Sequence, residues 1–446
     1  MVNLITESGE TPVTVADGEK TIVIGDVVLN VPTGFAVGLS GVLSLFRNLG
    51  IVQSQDRYGV KAEGSDLRID NQASGLIESE YVGISAAIGD STISNSGTVS
   101  GVFAAVELAG SYDTIINNSG TLTADYQGVL VGDGSANVRV NNYDTISATE
   151  AGSIGINVTD DSFATKILNI GQILAESFGI QNLGNASNIH NKGDITADVG
   201  IETRSDARFV NDGVITSSTA ALVVNGPNAS ANITNRGEMI GDLLFDAGAD
   251  LLGNTGMIMG DVVMGAGNDK LTNKGGITGE ISLGDGRDQY KGTEATTSAL
   301  VRGGAGKDEL RGGTKADILD GGADSDVIRS GDGDDTLIGG GDRDILTGGA
   351  GADVFVYRDE ADSDEVFDVI TDFAAGEDRL DLALLSAGVF VLSTDGLVGG
   401  GTASVYADEK ANTNNFINID IDGDGFRDML ILLQRAGTVT TDDFIL

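Results

Sequence analysis

Between residues 303 and 356 an aspartate returns at every ninth position: Asp308, Asp317, Asp326, Asp335, Asp344 and Asp353. An apolar residue follows two places after each one: Leu310, Leu319, Ile328, Leu337, Leu346 and Phe355. A strict short period of this kind forces the chain into stacked coils, because one unit alone cannot bury its apolar residue. Two nonapeptides make one turn of a two-sided roll, so carboxylates 18 residues apart stack on one side. Like charges about 5 Å apart repel by roughly 3 kcal/mol per pair at an effective dielectric near 20. Several such pairs rival a domain's whole stability of about 5–15 kcal/mol. Such a chain needs a counter-charge between its coils.

The glycines around each aspartate say what the counter-charge is. Gly304 and Gly306, Gly331 and Gly333, and Gly349 and Gly351 let the turns curl so that main-chain carbonyls point inward beside the aspartates. Calcium takes about six to eight hard oxygens and accepts such a mixture of carboxylate and carbonyl. The six contiguous units, with the half-units GAGNDKL (265–271) and GDGRDQY (284–290) upstream, resemble the RTX family of hemolysin-type calcium-binding repeats. The resemblance implies a parallel β-roll holding several Ca2+ ions, about four in the contiguous block. Three units depart from the glycine expected at the fourth position, carrying Lys315, Asp324 and Asp342. Aspartate tolerates a left-handed turn better than lysine, so the Lys315 turn is expected to hold its ion least well.

A looser repeat precedes the roll, an apolar residue close before Asn-x-Gly and another just after. It places asparagines at 71, 95, 118, 142, 169, 191, 211, 235, 254 and 273. Alternating apolar and polar residues broken by Asn-Gly turns read as strand–turn–strand, and spacings of about 20–50 residues signal a solenoid. Abundant glycine (66) with scarce proline (3) suits short strands and tight turns. The expected architecture is all-β: a right-handed parallel β-helix over 61–300, with residues 1–60 as its cap, running into a β-roll over 301–356. The asparagines are expected to tolerate a left-handed backbone and to bond to the coil above. Counting in 19-residue rungs puts Asp250, Asp269 and Asp288 at one point of the coil. One aspartate column is then expected from Asp250 to Asp344, with Asp317, Asp335 and Asp353 on the opposite side.

Residues 354–385 follow the last repeat, with Phe355, Tyr357, Asp368, Ile370, Asp372, Phe373, Gly376, Asp378, Leu380 and Asp381 as the positions that resemble the C-terminal domain of serralysin-type exported proteins. The ending DDFIL is similar too. The resemblance implies a small β-rich cap over 357–446 carrying an uncleaved signal for type I secretion machinery. Export unfolded, followed by folding in extracellular calcium, is the implied route, and a first segment without a cleavable leader and a cysteine count of zero agree with it. Asp420, Asp422, Asp424 and Asp428 form a weaker metal candidate, resembling half of an EF-type loop without its twelfth-position glutamate.

A net charge of -41 makes nucleic acid an unsuitable partner and a cation a suitable one. A zinc protease is excluded by sequence, since His190 is the single histidine and H-E-x-x-H is absent. A Ser-His-Asp hydrolase would have to use His190. Long apolar helical runs of a pore-forming toxin are missing. The rival reading is a β-helix polysaccharide-modifying enzyme, a uronate lyase or C5-epimerase carrying an RTX module, for which Arg204, Asp206 and Arg208 are the clustered charges. No catalytic constellation stands out, so the expected role is structural or adhesive, at a cell surface or on extracellular polysaccharide.

Overall fold

The computed structural model describes residues 2–446 apart from 17, 24–26, 186, 205, 227–229, 364–366, 386–389 and 410–413. It divides into two compact units, Met1–Leu244 and Phe245–Leu446. Both are all-β, with parallel coils in a right-handed β-helix and β-roll architecture and an antiparallel group only near the end of the second unit.

In the first unit each coil carries up to three short strands. One coil runs through Ile115–Asn118, Thr121–Ala124 and Gln127–Gly132, and the next through Arg139–Asn142, Thr145–Ala148 and Ile154–Val158. The coils stack in register, pairing Ile116 with Val140, Leu122 with Ile146 and Val129 with Ile156. All six of these side chains are fully buried. Burying each is worth about 1.5–3 kcal/mol, and repetition coil by coil builds the core. Parallel pairing begins at Val2–Ile5 with Lys20–Val23, within the segment expected to cap the solenoid.

The asparagines form a buried amide ladder. Each Nδ2 donates to the next Oδ1, from Asn48 through Asn71, Asn95, Asn118, Asn142, Asn169, Asn191 and Asn211 to Asn235, at 2.8–2.9 Å. The expected left-handed asparagine backbone is not what the structure uses, since none of these residues has a positive φ. The glycine of Asn-x-Gly is needed for close approach instead. A Cβ on Gly120 would lie 2.2 Å from the Gly97 carbonyl oxygen, and one on Gly213 would lie 2.1 Å from that of Gly193. Asn48 also belongs to the ladder, and its Asn48-Leu49-Gly50 motif was available in the sequence.

The second unit opens on coils of 19 residues, pairing Leu252 with Leu271 and Leu271 with Tyr290. Asn254 continues the amide pattern by donating to Asn273 at 2.9 Å. The coils then tighten to 18 residues. One face pairs Val301, Leu319, Leu337 and Phe355, the other Leu310, Ile328 and Leu346. These apolar side chains are at most 1% exposed, so a thin core of one residue per half-coil is complete. The end is closed by the antiparallel strands Ser404–Glu409, Asn415–Asp420 and Met429–Leu433. Met429–Leu433 adds to Asp368–Ile370, and Phe444–Ile445 adds to Arg379–Asp381, covering one edge of each sheet.

Candidate metal centre

The tight turns of the roll set the geometry. Gly304, Gly306, Gly331, Gly333, Gly349 and Gly351 all take φ between 107° and 129°. Asp324 and Asp342 hold the fourth position of their turns at φ 73° and 70°, a left-handed backbone that aspartate tolerates. Each turn delivers its aspartate to the start of the following strand, where it is almost completely buried.

Two columns result. In the first, the main-chain N–H of Asp250 donates to Oδ1 of Asp269, and the same link repeats through Asp288, Asp308, Asp326 and Asp344 at 2.6–2.7 Å. In the second, Ala299 donates to Asp317, Asp317 to Asp335 and Asp335 to Asp353, at 2.7–3.0 Å. Both columns run one step further than the sequence candidates. Asp344 donates to Oδ1 of Asp368 and Asp353 to Oδ1 of Asp378. Those steps span 24 and 25 residues, so counting by nines or eighteens passes over them.

The second oxygen of these carboxylates is what the fold leaves unused. Oδ2 of Asp269, Asp288, Asp308, Asp326, Asp344 and Asp353 is buried and receives no hydrogen bond from a described residue, while the Asp335 and Asp368 carboxylates have the Ser330 and Tyr357 hydroxyls beside them. In Asp308, Asp326, Asp344 and Asp353 Oδ2 lies against the glycine five residues before. A Cβ on Gly303 would meet Asp308 Oδ2 at 2.5 Å and the Gly321 carbonyl oxygen at 2.4 Å. One on Gly321 would meet Asp326 Oδ2 at 2.3 Å and the Gly339 carbonyl oxygen at 2.6 Å. Carboxylate and carbonyl oxygens from successive coils therefore line a cradle kept open by glycine. Orphaned buried anions beside carbonyl oxygens, with no nitrogen or sulfur donor, are a donor set that fits a hard divalent cation such as calcium.

Without an ion these groups resist ionising. Burial pushes Asp269, Asp308 and Asp353 up to about 7, and Asp326, Asp344 and Asp368 to about 8. Neighbouring carboxylates add to this, Asp368 most of all on Asp344, while the N–H donated to Oδ1 of Asp326 or Asp353 works the other way.

The 312–315 turn differs. Neither Gly313 nor Lys315 takes a positive φ, and Oδ2 of Asp317 accepts the Gly313 N–H at 3.0 Å. Its carboxylate is satisfied from within, where those of the neighbouring turns are not.

The remaining candidates are placed as follows. Oxygens of Asp420, Asp422 and Asp428 come within 4.8 Å of one another on the loop between Asn415–Asp420 and Met429–Leu433. Asp424 is outside that group. Asp420 is occupied by the N–H groups of Gly423 and Gly425, and Asp428 accepts that of Ile421. Arg204, Asp206 and Arg208 do not act together: Arg204 lies 3.9 Å from Glu202, Asp206 accepts the Ser230 N–H, and Arg208 faces a groove on the first unit's sheet.

No curated protein matches the chain. Residues 246–446, somewhat under half of the chain, match the family model described as Peptidase M10 serralysin C terminal, which supports a serralysin-like C-terminal domain with RTX-type repeats over these residues.

Proposed function

We propose that the protein is a secreted calcium-binding repeat protein that folds on calcium after type I export and serves a structural or adhesive role at a cell surface or in a matrix. The observation that carries this reading is the row of buried Oδ2 atoms without partners. A divalent ion bound in each cradle would supply positive charge shared between successive coils. The ligands would be Asp308, Asp326 and Asp344 on one side and Asp335 and Asp353 on the other, with turn carbonyls completing each set. Asp269, Asp288, Asp368 and Asp378 extend the columns, and the Asp317 turn is the weakest. Because the unfolded chain has no such site, binding free energy becomes folding free energy. A cytosol poor in calcium would keep the second unit open for export, and the exterior, at about 10⁻⁴–10⁻³ M calcium sites, would close it.

The test is a calcium titration of metal-stripped protein at pH 8, followed by circular dichroism and by metal analysis of the gel-filtered product. A cooperative gain of strand signal with several ions bound per chain is expected. Metal-stripped protein that is already as ordered and as heat-resistant as the loaded form would overturn the reading.

A further inference from the structure

The chain has 67 acidic and 26 basic residues, yet one groove of about 680 Å³ on the first unit is lined by Arg139, Lys166, Arg208, Arg236 and His190 and by no carboxylate. In-register pairing explains how they meet. Arg139 pairs with Lys166, Lys166 with Asn188, and Asn188 with Arg208, so these positions form one exposed line along the stacked strands. At about 4.8 Å per coil the line is roughly 14 Å long. The main-chain N–H groups of Arg139, Lys166 and Arg208 are used within the coils, but their charged side-chain ends make no ion pair or hydrogen bond with any described residue.

The neighbouring charges do not cancel that line. Asp212 is held by Arg236 at 2.6 Å and by His190 Nε2 at 2.6 Å, so its carboxylate is already spent. These three cations, one and two coils apart, repel one another, and no described acidic residue lines the groove beside them. Tyr143, 48% exposed, edges the groove and offers a flat face.

We infer that this groove binds a carboxylate-bearing saccharide chain, a polyuronate segment laid along the coil axis with its acid groups on Arg139, Lys166 and Arg208. Arginine meets a carboxylate with two parallel N–H donors, and an exposed aromatic ring stacks on an apolar sugar face. A thin single chain reaches the line without touching the acidic surface beyond it. A nucleic acid duplex, which needs a broad basic face, would not. The inference names a ligand class for the adhesive part of the proposed function, on which it rests for where the ligand is met. The calcium sites play no part in it.

The test uses full-length, calcium-loaded protein and a short fluorescent oligogalacturonate, read by anisotropy. Saturable binding that weakens with added salt is expected, with no binding of the methyl ester and weaker binding of a single-stranded DNA of equal charge. Arg139→Gln, Lys166→Gln and Arg208→Gln together should weaken binding by roughly 100-fold or more. Lys20→Gln, Arg57→Gln and Arg68→Gln, an equal charge change elsewhere on the unit, should leave it unchanged. Calcium uptake measured on both triple variants should match the parent, which separates failure of the groove from failure of the calcium reading. Lys166→Gln alone, at an exposed position, should weaken binding by about fivefold and repeats the test if the triple variant is unstable. Absence of binding by the parent protein, equal affinity in the groove variants, equal loss in the control, or tighter binding of the ester or of DNA would each overturn the inference.

Discussion

Protons should be able to stand in for calcium. Asp326 ionises near 3.8 when unfolded and at about 8 in the metal-free fold, where it is 1% exposed. A folded pKa above the unfolded one means that the metal-free fold binds more protons. Its contribution to stability is fully present below about pH 4 and is lost as the pH rises through 7 and 8. At about 1.4 kcal/mol per pH unit, Asp326 alone accounts for roughly 5 kcal/mol between those limits. Asp344 and Asp368 are raised as far, and Asp269, Asp308 and Asp353 to about 7. The groups are coupled and do not add simply, but two or three of them reach a domain's usual stability of about 5–15 kcal/mol. Metal-stripped protein should therefore keep the second unit folded near pH 5 and lose it near pH 8, and calcium should restore it at pH 8. Circular dichroism from pH 4.5 to 8.5, with limited proteolysis to locate cleavage after residue 245, reads both effects. Loss of the metal-free second unit on acidification, or a transition independent of pH, would refute the assignment of the buried charge as the unstable element.

Asp326→Asn should raise metal-free stability at pH 8 by up to roughly 5 kcal/mol, because it removes a buried charge and with it the repulsion from Asp344 and Asp308. The same substitution should weaken calcium binding by at least about tenfold, read by titration calorimetry. Gly321→Ala puts a methyl group 2.3 Å from Asp326 Oδ2 and should remove one ion from the metal count, with a loss of about 1–3 kcal/mol in the calcium-loaded melt. Asn142→Ala breaks the amide ladder in the first unit, leaving the Asn118 donor and the Asn169 acceptor short of a partner. It should cost roughly 2–5 kcal/mol in denaturant unfolding whether or not calcium is present.

The aspartate columns and the coil architecture were legible because a side chain that recurs at a fixed interval must land at a fixed point of a coil. Asp368 and Asp378 escaped that logic, since the chain makes excursions before returning to the column and the interval grows to 24 and 25 residues. The basic groove escaped for a related reason. Arg139, Lys166, Asn188 and Arg208 are separated by unequal lengths, because the coils of the first unit differ in loop size. Counted from the ladder instead, each lies three residues before its asparagine: Asn142, Asn169, Asn191 and Asn211. The amide ladder fixes the register, so distance from the nearest ladder asparagine locates a residue on the coil where a constant period does not.

The amide ladder and the aspartate columns differ in a way that gives the proposed ion its physical reason. A primary amide carries both a donor and an acceptor, so stacked asparagines satisfy one another: each Oδ1 takes an N–H from the coil before and each Nδ2 gives one to the coil after. A carboxylate only accepts. Stacked the same way, Oδ1 takes the main-chain N–H of the preceding aspartate and Oδ2 is left beside a carbonyl oxygen of the next coil, as Asp326 is beside Gly339. Exchanging amide for acid at one position per coil thus converts a ladder that is complete by itself into one with an open acceptor, which a cation or a proton would complete. Where the chain does complete a carboxylate internally, as Gly313 does for Asp317, that requirement is relieved, at the turn where lysine replaces glycine.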